Sequence, residues 1–283
     1  MRGLSILSVK PIIAVIGHKN SGKTSLIEDL IRSLRSEGLK VMSAKHVDLK
    51  GFTLDREQTD TWRHSRAGAN PVVCISESEI AIIRKDGEGE FSIKDLTGYG
   101  GDVDVILLEG FSRWILKDEG VGKIIMIRDR SELKEYSEIV KGPVLAYCSY
   151  RKDLVGEGLV DAEAEFSRIL SAVKGFIYDK RRLNDILKLL PGLNCGKCGY
   201  RSCLELAKAV MSGKASVGEC TVRRSEGKIK ASIFIDDKRI PTIPYISELI
   251  RKTILAMIST LKGTDLHGDE YVQIRISRKP IRE

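Results

Sequence analysis

Nowhere in its 283 residues does the chain hold an apolar run of the roughly 18–20 residues that a membrane-spanning helix needs. No long apolar segment follows the first charges at the N-terminus, so a secretory signal peptide is not expected. Together these absences predict a soluble, cytoplasmic protein with no membrane partner. Aromatic residues are few, at 6% of the chain, and no aromatic stripe interleaves with the basic residues. The net charge of +8 is spread along the chain rather than gathered in one arm. A solvated basic surface accounts for it; attraction to polyanions such as nucleotides or phosphorylated cofactors is the sharper reading, and nucleic acid is disfavoured. Cysteine is also scarce, with six in all. Cys74 and Cys148 sit singly inside apolar runs, whereas Cys195, Cys198, Cys203 and Cys220 fall in one short stretch. A secreted disulfide scaffold would be smaller and more evenly stapled, so the clustered quartet reads first as a metal site.

What is present is an alternation of β-rich and helical stretches. The length suggests about two domains, and the apolar content of 42% is ordinary for a chain with a real core. Ile12–Ile16 is a continuous apolar run before a glycine loop. After the loop, Leu26, Leu30, Ile31 and Leu34 recur at helical spacing, and Gly38 is a plausible stop. Further strands are predicted at Val41–Ala44, Val72–Ile75, Ile80–Ile83, Val103–Leu108, Ile124–Ile127 and Val144–Tyr147. Continuous apolar strands separated by helices indicate a mostly parallel sheet covered on both faces. Helix-like Leu183–Leu190 runs into Pro191-Gly192, and the charged stretch Arg223 to Lys230 reads as a linker. The end of the chain reads as strand, helix, strand: Ile233–Ile235, an apolar stripe from Ile246 to Leu261, and alternating Val272, Ile274 and Ile276.

Gly17, His18, Lys19, Asn20, Ser21, Gly22, Lys23 and Thr24 fit G-x-x-x-x-G-K-[ST] at every fixed position, with a strand before and an amphipathic helix after. Glycines let backbone N–H groups turn inward around phosphates, and the helix N-terminus adds its positive end. Lys23 places a charge on the outer phosphates, and the Thr24 hydroxyl can ligate Mg²⁺. An acidic residue at the end of a neighbouring strand is also needed. Glu109 closes the Asp104–Glu109 run on the edge where the loop opens; Asp104 opens it, at the far edge. Base identity is not given: Cys148-Ser149-Tyr150-Arg151-Lys152-Asp153 does not fit the N-K-x-D of guanine-specific GTPases, so GTP and ATP both stay open.

Residues 11 to about 150 resemble MobB, the small P-loop protein of molybdopterin guanine dinucleotide synthesis. The resemblance rests on the loop, with Ser21 before Gly22-Lys23-Thr24 and Leu26 soon after, on Lys45-His46, on Asp55 followed by Asp60-Thr61-Trp62-Arg63 and Ala67-Gly68-Ala69, and on Leu108-Glu109-Gly110-Phe111. Ser25 is a further nucleotide-binding candidate at the end of the loop. Thr59 stands where that family usually has glycine, and the family protein is much shorter. The resemblance implies GTP binding, weak hydrolysis and assistance to a MobA-like nucleotidyltransferase that joins a guanosine nucleotide to molybdopterin. By matching position, Asp55, Asp60 and Glu109 would lie near the terminal phosphate and metal, with Lys45 and His46 lining the same cleft.

The quartet has the spacing C-x2-C-x4-C-x16-C. Thiolates suit iron–sulfur or zinc. The stretch from Asn194 to Cys220 resembles the four-cysteine module found in Rnf electron-transport complexes and in corrinoid iron–sulfur proteins. That resemblance implies a [4Fe–4S] cluster on Cys195, Cys198, Cys203 and Cys220.

The sequence thus predicts an α/β fold: a doubly wound, mostly parallel P-loop NTPase sheet (1–150), a helical connection (151–188), an iron–sulfur module (189–222) and a short strand-helix-strand segment (223–283). Expected cofactors are GTP or ATP, Mg²⁺ held by Thr24 and Glu109, and the cluster. The expected function is that of a slow GTPase assisting molybdenum or tungsten pterin cofactor synthesis, with Lys23, Glu109 and Asp60 as catalytic candidates. Expected partners are the transferase, the pterin, a redox partner and a second copy in a homodimer. The alternative is a nucleotide-gated redox carrier or sensor.

Overall fold

The structure, a computed structural model, describes residues 9–85, 92–99, 101–156, 158–224, 231–235, 238–262 and 272–274. Ile12–Ile16 (β1) is buried along its whole length. Its side chains alternate between two cores, as in a parallel strand covered on both faces. Ile13 and Val15 enter one cluster; Ile12, Ala14 and Ile16 enter the other. Lys23–Ser36 (α1) follows the glycine loop and turns Leu26, Ile27, Leu30 and Leu34 into the first core.

The chain then runs through Val41–Lys45 (β2), Asp60–Arg66 (α2), Val72–Ile75 (β3), Ile80–Ile83 (β4), Ile93–Tyr99 (α3), Val105–Glu109 (β5) and Ser112–Ile115 (α4). Gly122–Met126 (β6), Arg130–Ile139 (α5), Val144–Ser149 (β7), Leu159–Asp161 (β8) and Phe166–Lys188 (α6) follow. Six strands form one parallel sheet in the order β2-β5-β1-β6-β7-β8. Ile169, Val173 and Ile177 of α6 join α1 on one face. Leu96 of α3, Ile115 of α4 and Tyr136 of α5 cover the other. This is the doubly wound α/β architecture that the sequence predicts. Because β1 lies between β5 and β6, its carboxyl end opens near the middle of the sheet edge, where ligands of such sheets bind.

The residues divide into two compact units, Val9–Arg181 and a second from Arg182 onward. In the second unit come Cys203–Met211 (α7), Thr221–Arg224 (α8), the antiparallel hairpin Ile233–Ile235 (β9) and Lys238–Ile240 (β10), and Pro244–Ile258 (α9). Buried Ser247 of α9 accepts from Ala231 N at 2.8 Å and donates to Ala231 O at 3.1 Å. Among the described residues no helix is long and apolar enough to cross a membrane.

Three expectations change. Val72–Ile75 and Ile80–Ile83 are strands, but they pair only with each other, as an antiparallel hairpin outside the parallel sheet. Val73, Ile75, Ile80 and Ile82 are exposed there; an apolar run by itself does not say which sheet it joins. The linker expected from Arg223 begins inside α8, and the rest of it, 225–230, lies outside the described residues. Val272 and Ile274 carry no strand, and Ile276 lies outside the described residues.

Leu30 is fully buried between α1 and the sheet. Leu30→Ala should lower stability by about 2–5 kcal/mol, read from urea denaturation. A loss under about 1 kcal/mol would contradict this packing.

Candidate functional site

The loop between β1 and α1 is built around two glycines with positive φ. Gly17 has φ +153, and a Cβ there would come within 2.6 Å of Met126 O and 2.7 Å of Ser21 Oγ. Gly22 has φ +87 and lies under the Tyr150 ring, 2.4 Å from where its Cβ would be. Gly22 also occupies the N-cap of α1 and supplies no side-chain cap. The first-turn amides of α1 therefore keep their bonding capacity for an anion. Lys23 Nζ donates to His18 O at 2.6 Å and so closes the loop. Lys23 is half-buried rather than exposed. That burial lowers its ammonium below the usual lysine range; Lys45 and Arg128 add to the lowering, and Glu109 opposes it.

Glu109 ends β5 on the same edge. Its Cα pairs with Val15 of β1 on one side and with Lys45 of β2 on the other. The Thr24 hydroxyl donates to Glu109 Oε1 at 3.0 Å, and Lys45 Nζ sits 2.7 Å from that same oxygen. Thr24, Lys45 and Glu109, predicted separately, are thus one cluster. Asp104, at the opposite end of β5, accepts from Lys40 N at 2.8 Å and from Arg181 Nη2 at 2.7 Å, a structural role.

The side chains of the remaining predicted residues have other partners. His46 continues the β2–β5 ladder, its N–H donating to Glu109 O at 3.1 Å. Its ring packs against Trp114 at 4.9 Å and Phe111 at 5.6 Å between centroids. Asp55 Oδ1 accepts from Thr59 and Thr61 at 3.0 and 2.8 Å, at the start of α2. Asp60 is exposed and faces Arg63 at 3.6 Å. The hydrogen bonds and ion pairs of these two carboxylates stay within their own segment. His18 Nε2 lies 3.7 Å from Glu132 Oε1.

Sequence reasoning missed Arg128 and Glu132. Arg128 follows β6 and holds buried Glu132 through Nε at 2.8 Å and Nη2 at 2.6 Å, while its Nη1 reaches Lys19 O at 3.3 Å. Tyr150 and Arg151, which follow β7, entered the sequence reading only as a misfit to N-K-x-D. With Asn20, Ser21, Gly22, Ile127, Arg128 and Ser149 they line a cleft of ≈ 520 Å³. A second cleft of ≈ 480 Å³ has Tyr150 in its wall with Ser25, Asp29, Arg32, Ser33, Ala162, Glu163 and Phe166. The usable signal was position: these residues follow the carboxyl ends of β6 and β7, on one flank of β1.

A family model described as "Molybdopterin guanine dinucleotide synthesis protein B" matches residues 12–148. A "Putative molybdopterin-guanine dinucleotide biosynthesis adapter protein" of Methanocaldococcus jannaschii is 30% identical over 267 residues, covering 94% of this chain and 98% of the relative. The chain belongs to the MobB family of molybdopterin-guanine dinucleotide biosynthesis adapter proteins. Among solved structures, Bacillus subtilis MobB is similar at 23% identity and a TM-score of 0.47, over 58% of this chain and 99% of that one. The MobB-like part carries the phosphate loop, Lys45 and Glu109. A second family model, described as "Putative Fe-S cluster", matches residues 190–222. A component of the ion-translocating oxidoreductase complex of Rhodobacter capsulatus is 49% identical over 39 residues, 14% of this chain and 21% of that protein.

The geometry does not bear out the expected [4Fe–4S] cluster, nor the iron–sulfur module and metal-binding character that go with it. Cys195, Cys198, Cys203 and Cys220 are all free thiols. Cys195 is exposed and Cys198 half-buried, whereas Cys203 and Cys220 are buried. Among the described residues no three His, Cys, Asp or Glu side chains converge where a metal ion could sit. The segment is held locally by side-chain bonds to its backbone. Asn194 Oδ1 accepts from Cys203 N at 2.9 Å, and Ser202 caps α7 through Glu205 N at 3.2 Å. Cys203 is thereby fixed in the first turn of α7, where it is buried with Leu206 and Ala207.

Gly38 shares the positive φ of Gly22, at +82, but has open space around it. Gly38→Ala should cost about 1–2 kcal/mol of stability and Gly22→Ala clearly more. Equal losses in thermal melts would show that the Tyr150 ring yields. Burial pushes the Cys148 thiol up to about 12, so it stays protonated at mildly alkaline pH. In a native thiol titration, exposed Cys74 and Cys195 should react quickly and Cys148 only on unfolding. Fast labelling of Cys148 would contradict its burial.

Proposed function

We propose that this chain is a GTP-binding, slowly hydrolysing adapter in molybdopterin guanine dinucleotide synthesis, handling nucleotide beside a MobA-like nucleotidyltransferase. The observation that supports it best is the meeting of the Thr24 hydroxyl and the Lys45 ammonium on Glu109 Oε1, next to a loop that Lys23 closes and a helix N-terminus without a side-chain cap. The loop amides and Lys23 would bind the phosphates and stabilise the charge that develops on them. GTP would enter as its Mg²⁺ complex; Thr24 and Glu109 are hard oxygen donors suited to that ion, which offsets phosphate charge when bound. Tyr150 and the two clefts beside it would receive the nucleoside, with the ring available for stacking. The names of the relatives supply the pathway, and they support the guanine base over adenine.

The alternative of a nucleotide-gated redox carrier depended on the cluster, and it falls with it. The expected redox partner loses its motive for the same reason. Roles for Asp55, Asp60 and His46 beside the phosphate do not enter the proposal. Asp55 bonds Thr59 and Thr61 at the start of α2, and the His46 ring packs against Phe111 and Trp114.

Lys23→Ala should weaken GTP binding by roughly 10- to 100-fold in calorimetric titration, the loss of a charge-assisted bond to phosphate. In a reaction reconstituted with a MobA-like enzyme, GTP, Mg²⁺ and molybdopterin, the wild-type chain should raise dinucleotide yield and the variant should not. Unchanged affinity in the variant rules out the loop as the phosphate site. An unchanged yield with both forms, and no binding of either to the transferase, rules out the adapter role.

A further inference from the structure

The sheet order gives a bound nucleotide a direction. β1 feeds the loop, with β6, β7 and β8 on one flank and β5 then β2 on the other. The two clefts belong to the first flank, with walls from residues after β6, β7 and β8. They offer the rings of Tyr150 and Phe166, which suit a flat base. The cations there already hold carboxylates: Arg128 holds Glu132 at 2.6 Å, and Arg151 holds Asp153 at 2.6 Å. With the nucleoside on that flank and the phosphates over the start of α1, the far end of the phosphate chain points toward β5 and β2.

The side chain that waits at that end is Lys45. We propose that Lys45 binds the terminal phosphate of a nucleoside triphosphate and is the residue by which this site tells a triphosphate from a diphosphate. The assignment rests on the reading of the loop as a GTP site. Lys45 ends β2 directly opposite Glu109, and Glu109 lies directly opposite Val15, so the three stand in one row at the carboxyl edge. The Lys45 ammonium shares Glu109 Oε1 with the Thr24 hydroxyl, which places it beside the first turn of α1. The pair is asymmetric: the Lys45 side chain is 57% exposed and that of Glu109 is 14% exposed. The lysine is therefore the half that can turn. Its four-carbon stem can carry the ammonium from the carboxylate to a phosphate oxygen while Glu109 keeps the Thr24 hydroxyl. A terminal phosphate carries more negative charge than a carboxylate and lies beside a helix N-terminus, so the exchange is electrostatically favourable. It also relieves the mutual repulsion of Lys23 and Lys45, because an anion between two ammonium groups stabilises both. A diphosphate meets Lys23 and the loop amides but ends one group short of Lys45.

The test compares GTP and GDP by calorimetry with Mg²⁺ present, using wild type, Lys45→Gln, Lys45→Arg and Lys40→Gln. Lys40 lies just before β2 and pairs with Asp102, so its substitution removes the same charge at the opposite edge. Lys45→Gln should lower GTP affinity by about tenfold or more and leave GDP within about twofold. Lys45→Arg should keep most of the GTP affinity, and Lys40→Gln should move neither nucleotide. Thermal melts without nucleotide check that each variant is folded. Equal weakening for GTP and GDP, or no weakening for GTP, overturns the role of Lys45 while the GTP site stands. If wild type binds neither nucleotide, the GTP reading itself is wrong and the role of Lys45 falls with it.

Discussion

The Glu109 carboxylate takes the Thr24 hydroxyl and the Lys45 ammonium on a single oxygen, and most of the site depends on that meeting. It joins the second residue of α1, the last of β2 and the last of β5, three elements far apart in sequence. The geometry is enforced from below. β1 pairs with β5 from Ile12 to Val15, and β2 pairs with β5 from Val41 to Lys45. A register slip of one residue would turn Glu109 to the other face and replace it with Leu108 or Gly110. The apolar side chains of β5 prevent that slip, since Val105, Ile106, Leu107 and Leu108 are each fully buried, two in each core. Core packing thus fixes the carboxylate, and the carboxylate places the two groups nearest the phosphate loop.

Much of this was legible in the sequence because two strong constraints coincide there. A run such as Ile12–Ile16 can be satisfied only by burial on both faces, and the loop that follows it has the residue types that phosphate binding requires. Glu109 was legible for a related reason: a carboxylate closing an apolar strand has nowhere to go but the carboxyl edge. Lys45 was legible through family resemblance, since an exposed strand-end lysine says little by itself. Arg128, Glu132 and Tyr150 were less so. Their importance comes from strand order, which puts β6 and β7 beside the loop, and a sequence carries no local mark of strand order. The β3–β4 hairpin was misplaced because its apolar runs look like those of buried parallel strands, although Val73, Ile75, Ile80 and Ile82 are exposed.

Asp55 and Asp60 show that residues carrying a family resemblance can also have a local structural function. Their spacing with Thr61, Trp62 and Arg63 is specific enough to carry a family resemblance. In the structure, Asp55 gathers the hydroxyls of Thr59 and Thr61, while Thr59 caps α2 by accepting from Trp62 N at 3.3 Å. The arrangement is a helix start. Such a pattern is preserved in order and spacing as readily as a catalytic one, because a cap depends on the same exact offsets.

The cysteine segment makes the same point more strongly. Asn194, Gly196 and Gly199 have φ values of +48, +70 and +89, all in the left-handed region. Only glycine and, less readily, asparagine adopt it at little cost. Gly199 N donates to Gly196 O at 3.0 Å to close the turn, and Asn194 Oδ1 anchors the amide of Cys203. The glycines, the asparagine and the Ser202 cap therefore each have a backbone function that is independent of any metal. The segment matched by the second family model includes all of these residues. What such a likeness transfers is the path of the backbone. Ligation asks in addition that the metal-binding side chains converge on one centre, and among the described residues no three do.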